Sequence, residues 1–247
     1  MLLLLSSVTC LKPVVLIPGL CGSELAATIN NAKLQWYCPK KVDNEVIWVG
    51  EKYFVPPLYN CLFQWIALHY DKETNSAKNL EGVDISTVDF GGLGGINVLD
   101  KLPLNISIIP YYGPMIEYLK KRGYDERVTL FGAPNDWRKG FHGQEEYFAK
   151  LKALVEEAHK KTGEKVVLIG HSFGGFTAHR FVNEINDDDW VTEHIDSNIL
   201  ISPSFGGSGY AIRATWDGMY PAGAPQIKTF GNAIRSFGGI HVHYPNF

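Results

Sequence analysis

The chain has 247 residues, of which 45% are hydrophobic and 13% aromatic, and its formal net charge at pH 7 is −3. A chain of this length can bury a sizeable core, and this composition excludes an intrinsically disordered protein. A net charge so close to zero argues against an electrostatic grip on a phosphate backbone, so we expect no nucleic-acid partner.

The amino terminus is apolar. Residues 1–10 begin with Met1-Leu-Leu-Leu-Leu5 and end on small residues, which predicts a short signal segment ahead of a single domain over 11–247. The segment lacks a basic region and is shorter than the usual ~15–30 residues, so an incorrect translation start is an equal alternative. No later stretch reaches the ~18 consecutive apolar residues that a spanning helix needs, so we expect no transmembrane helix and only peripheral membrane contact.

Strand and helix patterns alternate along much of the chain. The pattern predicts, in chain order, a strand over 13–18, a helix over 113–121, a strand over 127–131, a helix over 144–162, a strand over 166–169, a helix over 173–185 and a strand over 198–201. Strands that alternate with helices predict the α/β class, with a doubly wound, mostly parallel sheet covered on both faces.

Two stretches interrupt this alternation. Residues 31–104 are aromatic, irregular in pattern and too long for an ordinary connection, which indicates a functional insertion. Within them, Gly91-Gly-Leu-Gly-Gly95 lacks the spacing and the following helix of a dinucleotide-binding turn, so we interpret it as a mobile turn. The second stretch, 206–247, is rich in glycine and shows little periodicity.

The cysteines and one sequon bear on the compartment. Cys38 and Cys61 bracket an aromatic segment, and a disulfide between them would stabilise the fold by about 3 kcal/mol on loop-entropy grounds. Two buried free thiols are the alternative. Asn105 begins an Asn-Ile-Ser sequon, which predicts a glycosylation site and agrees with a secretory compartment.

The segment that points to chemistry follows the strand at 166–169. Gly170-x-Ser172-x-Gly174 is the pattern of a nucleophile elbow, in which a serine lies on a sharp turn between a strand and a helix. The residues two before and two after the serine must be small, and both are glycine. Ser172 is therefore the predicted nucleophile, with a loop serine between glycines by chance as the alternative.

Four blocks together resemble the lecithin:cholesterol acyltransferase and lysosomal phospholipase A2 family of α/β-hydrolases. The resemblance covers residues 12–245, and the Ala-Pro-x-Asp-Trp-Arg string is much more specific than the elbow. The blocks are Val14-Val-Leu-Ile-Pro-Gly19, Tyr37-Cys-Pro-Lys-Lys41 with Trp48 and Cys61, Gly132-Ala-Pro-Asn-Asp-Trp-Arg138, and the elbow followed by Ser202-Pro-Ser-Phe-Gly-Gly207.

The resemblance implies roles for particular residues. Ser172 would hold the acyl group as an acyl-enzyme, and the backbone N–H groups of Leu20 and Phe173 would form the oxyanion hole. Relatives typically carry an acidic residue where this chain has Leu20, but the substitution leaves the N–H in place. Asp136 and Arg138 would form a structural ion pair or hydrogen-bond the neighbouring turn, and we assign them no catalytic role. We expect neither a cofactor nor a metal.

The resemblance also assigns residues 31–68 to a membrane-binding and lid subdomain and 208–247 to the start of a cap region. Trp48 is the best lid candidate. Aromatic rings of the subdomain would enter a lipid interface, with a small aromatic core pinned by the disulfide as the alternative for each ring. These rings are Trp36, Trp48, Tyr53, Phe54, Tyr59, Phe63 and Trp65.

The triad acid and histidine are not evident in the sequence. In this fold they follow the serine on loops after two further strands, and no such strand and turn follow Ile201. The resemblance therefore implies an incomplete domain, with both residues beyond Phe247. On a strand, His241 and His243 would share one face, which suits a metal pair or a base only with a partner residue, and no third ligand is evident in the sequence. Asp196 and Asp217 are no better supported as the acid.

Three functions are consistent with these residues. The leading one is a lipid O-acyltransferase or phospholipase A-type serine hydrolase that acts on glycerophospholipid acyl esters. A neutral-lipid lipase or esterase and a non-catalytic, lipid-surface-binding remnant are the alternatives. The expected partners are a phospholipid, lipoprotein or membrane surface and a lipid alcohol acceptor, and the expected compartment is extracellular or the lysosomal or endomembrane lumen.

Overall fold

A computed structural model describes residues 11–102, 106–218 and 228–245 of the chain. The predicted signal segment over 1–10 and the sequon residue Asn105 lie outside these ranges. Strands and helices follow one another along the described residues. The strands are β1 (Val14–Ile17), β2 (Leu25–Asn30), β3 (Lys41–Trp48), β4 (His69–Asp71), β5 (Ser76–Lys78), β6 (Val83–Thr87), β7 (Val98–Leu102), β8 (Ile106–Pro110), β9 (Leu130–Gly132), β10 (Val166–His171) and β11 (Ile195–Ile201).

Helices lie in half of the connections between these described strands, and further helices follow β11. They are α1 (Tyr59–Ile66), α2 (Gly94–Asn97), α3 (Gly113–Lys121), α4 (Glu145–Thr162), α5 (Phe173–Arg180), α6 (Asp188–His194), α7 (Gly209–Asp217), α8 (Lys228–Arg235) and α9 (Gly238–His241). A 3₁₀ turn lies at Glu51–Phe54, and a π-helical turn over Phe181–Ile185 continues α5. None of the described helices is long and apolar enough to span a membrane.

The central sheet is parallel, with the strand order β11-β10-β1-β9. Its inner strand β1 is buried along its whole length, as expected for a strand covered on both faces. Val15 and Ile17 pack in a cluster with α4 and the helix after the elbow, whereas Val14 and Leu16 pack in a cluster with α3. The predicted α/β fold with a doubly covered parallel sheet is confirmed.

Most predicted elements are present, with shifted ends. The helix α3 has the predicted bounds, and α4 begins one residue later than predicted. The strand predicted over 127–131 is only Leu130–Gly132. Arg127 has a φ of 61°, and the N–H groups of residues 128–130 donate to the carbonyl of Asp125, so the chain forms a turn before this strand. The helix predicted over 173–185 is α-helical only to Arg180.

The insertion is more regular than the sequence indicated. An antiparallel sheet with the order β3-β2-β6 packs with α1 around a second core that includes Leu25, Ile47 and Trp65. Cys38 and Cys61 form the predicted disulfide, with their Cα atoms 5.6 Å apart. The prediction of an irregular stretch over 31–104 is therefore wrong in detail, whereas the disulfide is confirmed.

The glycine run at 91–95 is a closely packed turn. A Cβ on Gly132 would lie 2.2 Å from the carbonyl oxygen of Gly92, and a Cβ on Gly95 would lie 2.2 Å from that of Val88. The run also leads into the short helix α2, which begins at Gly94. The expectation that no helix follows these glycines is therefore wrong. Because glycine has no Cβ, the backbone segments at these positions pack directly against each other.

The last strand of the sheet forms an edge. Within the described residues, β11 pairs with β10 alone, and Ile199 in the middle of β11 is 47% exposed. The elements that follow are the helices α7, α8 and α9, of which α8 packs against α1 and α7. The carboxyl-terminal described residues thus cover the insertion and do not extend the sheet.

Candidate active site

Ser172 lies on a sharp turn between β10 and α5. Its φ of 53° and ψ of −119° are unusual for a residue with a side chain, and its N–H donates to the carbonyl of Ile201, 2.9 Å away. A Cβ on Gly170 would lie 2.3 Å from the carbonyl oxygen of Gly174, and a Cβ on Gly174 would lie 2.1 Å from that of Ile17. The two glycines are therefore a steric requirement of the turn that presents Ser172.

Two backbone amides near Ser172 have no hydrogen-bond partner among the described residues. One is the N–H of Leu20, in the turn after β1, and the other is the N–H of Phe173, the first residue of α5. Neighbouring amides are paired: Gly22 N–H donates to the carbonyl of Gly19, and Gly175 N–H donates to that of Ser172. Unpaired amides on either side of a nucleophile are able to bind a negatively charged oxygen.

Ser172 and Leu20 line a small cavity of about 130 Å³. Its other walls include Ser204, Tyr210 and His243. A drug-sized ligand needs roughly 300–1,000 Å³, so the cavity has room for the ester group of a lipid and not for the whole molecule.

The Asn135-Asp-Trp-Arg138 string supports the turn that carries Leu20. The Asn135 side chain donates to the carbonyl of Pro18 at 2.7 Å, and its backbone N–H donates to the Ser23 hydroxyl at 2.9 Å. The Trp137 indole donates to the carbonyl of Ser23 at 3.1 Å. Sequence reasoning did not assign Asn135 or Ser23 to the site, although the string itself was the signal that could have found them.

Arg138 anchors the same string to the insertion. Its guanidinium is fully buried and binds both carboxylate oxygens of Asp136, with Nε 2.8 Å and Nη2 2.7 Å from them. Nη1 also donates to the carbonyl of Ile66, at the end of α1, at 3.3 Å. The predicted structural ion pair is confirmed, and it joins the site to the disulfide-containing insertion.

Tyr111 lies between the turn after β1 and the elbow. Its hydroxyl oxygen is 2.8 Å from the N–H of Gly19 and 2.6 Å from Nδ1 of His171. Burial lowers the pKa of His171, so this imidazole is neutral near pH 7. The sequence did not predict a role for Tyr111, because nothing in the residues around it indicates a contact with residues that are distant along the chain.

The aromatic rings of the insertion divide into buried and exposed groups. Tyr53, Phe63 and Trp65 are buried, so the alternative of a small aromatic core is right for these three. Trp36 is 89% exposed and Phe54 is 40% exposed. Only rings of this second kind are placed to meet a surface.

Trp48, the predicted lid residue, is partly buried. Its indole N–H donates to the carbonyl of Cys21 at 3.1 Å, and its ring packs 4.9 Å from that of Trp137. Tyr59 is also partly buried, against Phe63. Trp48 thus lies against the turn that carries Leu20 and Cys21.

His243 also lines the cavity, and it does not lie on a strand. The helix α9 ends at His241 and a turn follows, in which the His243 N–H donates to the carbonyl of Ile240 and the Tyr244 N–H to that of His241. Nδ1 of His243 is 2.6 Å from the Ser204 hydroxyl, and its buried Nε2 has no described partner. Burial lowers the pKa of His243.

No described histidine or carboxylate hydrogen-bonds the Ser172 hydroxyl. His171 contacts Tyr111, and the Nδ1 atom of His243 contacts Ser204. In the same ranges, no group of three histidine, cysteine, aspartate or glutamate side chains could hold a metal ion. The described residues therefore place a serine on a sharp turn beside two unpaired amides, without a base bonded to the hydroxyl of that serine.

Comparison with known proteins identifies the family. The family model described as Lecithin:cholesterol acyltransferase matches residues 44–235. The lysosomal phospholipase A and acyltransferase of Bos taurus is 29% identical over 208 residues, which are 83% of this chain and 50% of that protein. The phosphatidylcholine-sterol acyltransferase of Homo sapiens is 32% identical over 199 residues, 80% of this chain and 44% of that protein.

The mouse phosphatidylcholine-sterol acyltransferase gives a similar result, with 30% identity over 204 residues, 82% of this chain and 45% of the relative. The chain thus spans about half the length of the curated relatives it matches. The matched family region includes the Asn135-Asp-Trp-Arg138 string and the elbow at Ser172. The chain belongs to the lecithin:cholesterol acyltransferase family.

Proposed function

We propose that the chain is a lipid O-acyltransferase or phospholipase A-type serine hydrolase that acts on the acyl esters of glycerophospholipids. The observation that carries the proposal is the position of Ser172, on a strained turn and in one small cavity with Leu20. The unpaired amides of Leu20 and Phe173 support the same chemistry. The names of the relatives, a lysosomal phospholipase A and acyltransferase and a phosphatidylcholine-sterol acyltransferase, support the substrate class.

The chemistry proceeds in two steps through an acyl-serine. In the first, the Ser172 hydroxyl oxygen attacks the ester carbonyl carbon, the serine proton passes to a base, and the bond to the lipid alcohol breaks as that alcohol takes the proton. In the second, water or another lipid alcohol attacks the acyl-serine and releases a fatty acid or a new ester. Both steps pass through a tetrahedral oxyanion, which the amides of Leu20 and Phe173 would stabilise.

The substrate would reach Ser172 from a lipid surface. Because the cavity is about 130 Å³, most of a phospholipid must lie outside it. Exposed aromatic rings at Trp36, Phe54 and Trp216 are suited to contact with a membrane or lipoprotein surface. Trp48 would act as a lid over the turn that carries Leu20, and residues 208–247 would begin a cap.

The compartment and the modification are part of the same proposal. The Cys38–Cys61 disulfide favours an oxidising compartment, either extracellular or the lysosomal or endomembrane lumen. Glycosylation at Asn105 would agree with either location. A signal segment over 1–10 would direct the chain there.

One observation favours a second candidate function. No described side chain that can act as a base hydrogen-bonds Ser172, and a serine without its histidine loses about 10⁴- to 10⁶-fold in rate. A non-catalytic protein that binds lipid surfaces would have these same residues. The two candidates differ in whether Ser172 reacts.

Labelling with a fluorophosphonate probe separates them. The proposal predicts covalent labelling of Ser172 in the folded protein and its loss in Ser172→Ala. Ser208→Ala is a matched control, because Ser208 lines the same cavity and its side chain makes no cap hydrogen bond to α7. Labelling that survives Ser172→Ala, or a folded wild-type protein that is never labelled, would contradict the proposal and favour the lipid-binding alternative.

A second measurement identifies the reaction. Phosphatidylcholine vesicles that contain a long-chain alcohol would be incubated with the protein and analysed by mass spectrometry. A lysophospholipid together with free fatty acid indicates hydrolysis, and the fatty ester of the added alcohol indicates transfer. Fatty acid released only from triacylglycerol emulsions would replace the phospholipid assignment with a neutral-lipid esterase.

A further inference from the structure

We infer that Tyr111 is a positioning residue, whose hydroxyl ties the turn carrying the Leu20 amide to the residue that precedes the nucleophile. The catalytic consequence of this contact rests on the proposed function. The contact itself rests on geometry alone. Gly19 directly precedes Leu20, and His171 directly precedes Ser172. Tyr111 therefore joins, through one oxygen atom, the neighbours of an oxyanion-binding amide and of the attacking serine.

The direction of the first hydrogen bond is fixed by its atoms. A backbone N–H can only donate, so Gly19 donates to the Tyr111 oxygen over 2.8 Å. The single proton of the phenol is then free to be donated to Nδ1 of His171, 2.6 Å away. We assign the His171 tautomer in which Nδ1 accepts this proton and the proton of the imidazole lies on Nε2. Because burial lowers the pKa of His171, the neutral imidazole that this arrangement needs is also the favoured form.

The tyrosine ring is held in place on several sides. A Cβ on Gly22 would lie 2.7 Å from Cζ of Tyr111, and a Cβ on Gly19 would lie 3.1 Å from its hydroxyl oxygen. The Tyr112 ring packs edge-on, with the ring centroids 4.9 Å apart. The backbone N–H of Tyr111 donates to the carbonyl of Asn97 at 3.0 Å. Glycine at positions 19 and 22 thus gives the ring room to reach the turn.

Tyr111 also keeps its proton throughout the working range of pH. Burial raises the pKa of its hydroxyl to about 12. The bridge from Gly19 through Tyr111 to His171 is therefore made of neutral groups in a half-buried site. Such a bridge fixes geometry without placing a charge beside the oxyanion.

This bridge differs from the other supports of the turn. Asn135 and Trp48 hold carbonyl oxygens of the turn, at Pro18 and Cys21, from the side of β9 and the insertion. Tyr111 holds an amide of the turn and connects it to the elbow. The Tyr111 contact would fix the distance between the Leu20 amide and Ser172. This distance matters because a misplacement of 1 Å in an active site can cost about 10²-fold in rate.

The test compares Tyr111→Phe with Tyr147→Phe. Each substitution removes one hydroxyl and keeps the ring, but the Tyr147 hydroxyl donates to the carbonyl of Ala133 at 3.1 Å and contacts neither Gly19 nor His171. In Tyr111→Phe we expect hydrogen exchange at the Gly19 amide to accelerate by about tenfold or more, since its hydrogen-bond acceptor is lost. In Tyr147→Phe we expect the exchange rate of that amide to stay within about twofold of wild type, after correction for any change in global stability.

Reactivity of Ser172 gives the functional readout. We expect the second-order rate constant for fluorophosphonate labelling to fall by about 10- to 100-fold in Tyr111→Phe, and to stay within about threefold of wild type in Tyr147→Phe. With a lipid substrate, kcat should fall and KM should change little, as for a contact that acts in the transition state. Equal losses in both variants would indicate general loosening and would overturn the inference.

A further test uses the wild-type protein. In ¹⁵N NMR spectra of the His171 imidazole, we expect Nε2 to be protonated and Nδ1 to be unprotonated. A proton on Nδ1 would reverse the assigned hydrogen bond and overturn the inference. Absence of labelling in wild-type protein would instead contradict the proposed function, and the amide exchange and imidazole tautomer would still decide whether the Tyr111 bridge exists.

Discussion

Gly174, two residues after the nucleophile, contacts the end of β1 so closely that a Cβ there would lie 2.1 Å from the carbonyl oxygen of Ile17. The elbow and β1 therefore fit together only without a side chain at position 174. Because Ile17 leads directly into the turn that carries Leu20, this contact also fixes how far the nucleophile lies from that turn.

We expect Gly174→Ala to destabilise the protein by about 1–3 kcal/mol and to abolish labelling of Ser172, because β1 or the elbow must shift. Gly209→Ala is the matched control, since a Cβ there would meet nothing within 4 Å. Urea unfolding and probe labelling measure both effects. A Gly174→Ala protein that is labelled at the wild-type rate would show that the elbow tolerates the shift.

Trp137→Phe tests the support beneath the turn that carries Leu20. Trp137 and Trp65 are both fully buried, but the Trp137 indole donates to Ser23, whereas the Trp65 indole N–H has no described partner. Replacement by Phe removes a similar volume at each position. We therefore expect Trp137→Phe to cost about 1–2 kcal/mol more in unfolding free energy than Trp65→Phe, since it leaves a buried carbonyl unpaired.

Labelling kinetics extend this comparison. Trp137→Phe should slow the labelling of Ser172, because the turn loses one of its anchors, whereas Trp65→Phe should not. Equal unfolding free energies for the two variants would mean that the bond to Ser23 contributes nothing to stability.

The ion pair of Arg138 and Asp136 should be far more sensitive to substitution than pairs at the surface. Arg138 is fully buried, so Asp136→Asn would leave its charge without a partner, and we expect a loss of about 3–5 kcal/mol. Glu146→Gln, which removes an exposed partner of Lys150, should change stability by less than about 1 kcal/mol. Chemical denaturation of the two variants checks the difference, and similar losses would contradict it.

Stability should fall as the solution becomes moderately acidic. Burial lowers the pKa values of His171, His241 and His243, so the unfolded chain binds protons more readily than the folded one. Stability is therefore unaffected above the unfolded pKa of about 6.5 and decreases as pH falls from there toward the lower folded values. Melting temperatures measured between pH 7.5 and 5 should decrease. His243→Phe should reduce the slope, and an unchanged slope would exclude His243 as a contributor.

The sharp turn at Ser172 could be predicted from the sequence because the constraint is local. Gly170, Ser172 and Gly174 lie within five positions, and the apolar strand before them alternates between buried and partly buried residues. The same is true of α3, whose amphipathic pattern and terminal signals lie inside the helix. Where residues close in sequence carry the physical reason, the pattern is sufficient.

The missed elements depend on contacts made elsewhere in the chain. The strand β2 has two alanines at its centre and little strand propensity, and it is ordered by pairing with β3 on one side and β6 on the other. The Tyr111 hydroxyl contacts Gly19, which lies 92 positions earlier in the chain, and His171, which lies 60 positions later. His241 and His243 do not share one face of a strand, because His241 ends α9 and His243 lies in the turn that follows.

The size of the cavity has a consequence for selectivity. A space of about 130 Å³ at Ser172 can accommodate the atoms that react, which are the same in every glycerophospholipid ester. Under the proposed function an acyl chain would extend beyond this space, and Tyr210 on α7, which lines the cavity and is 59% exposed, would contact it. We expect substitutions at Tyr210 to change which acyl chains are preferred and to leave the reactivity of Ser172 toward a small probe intact. Acyl-chain selectivity and the reactivity of the serine would then depend on different residues.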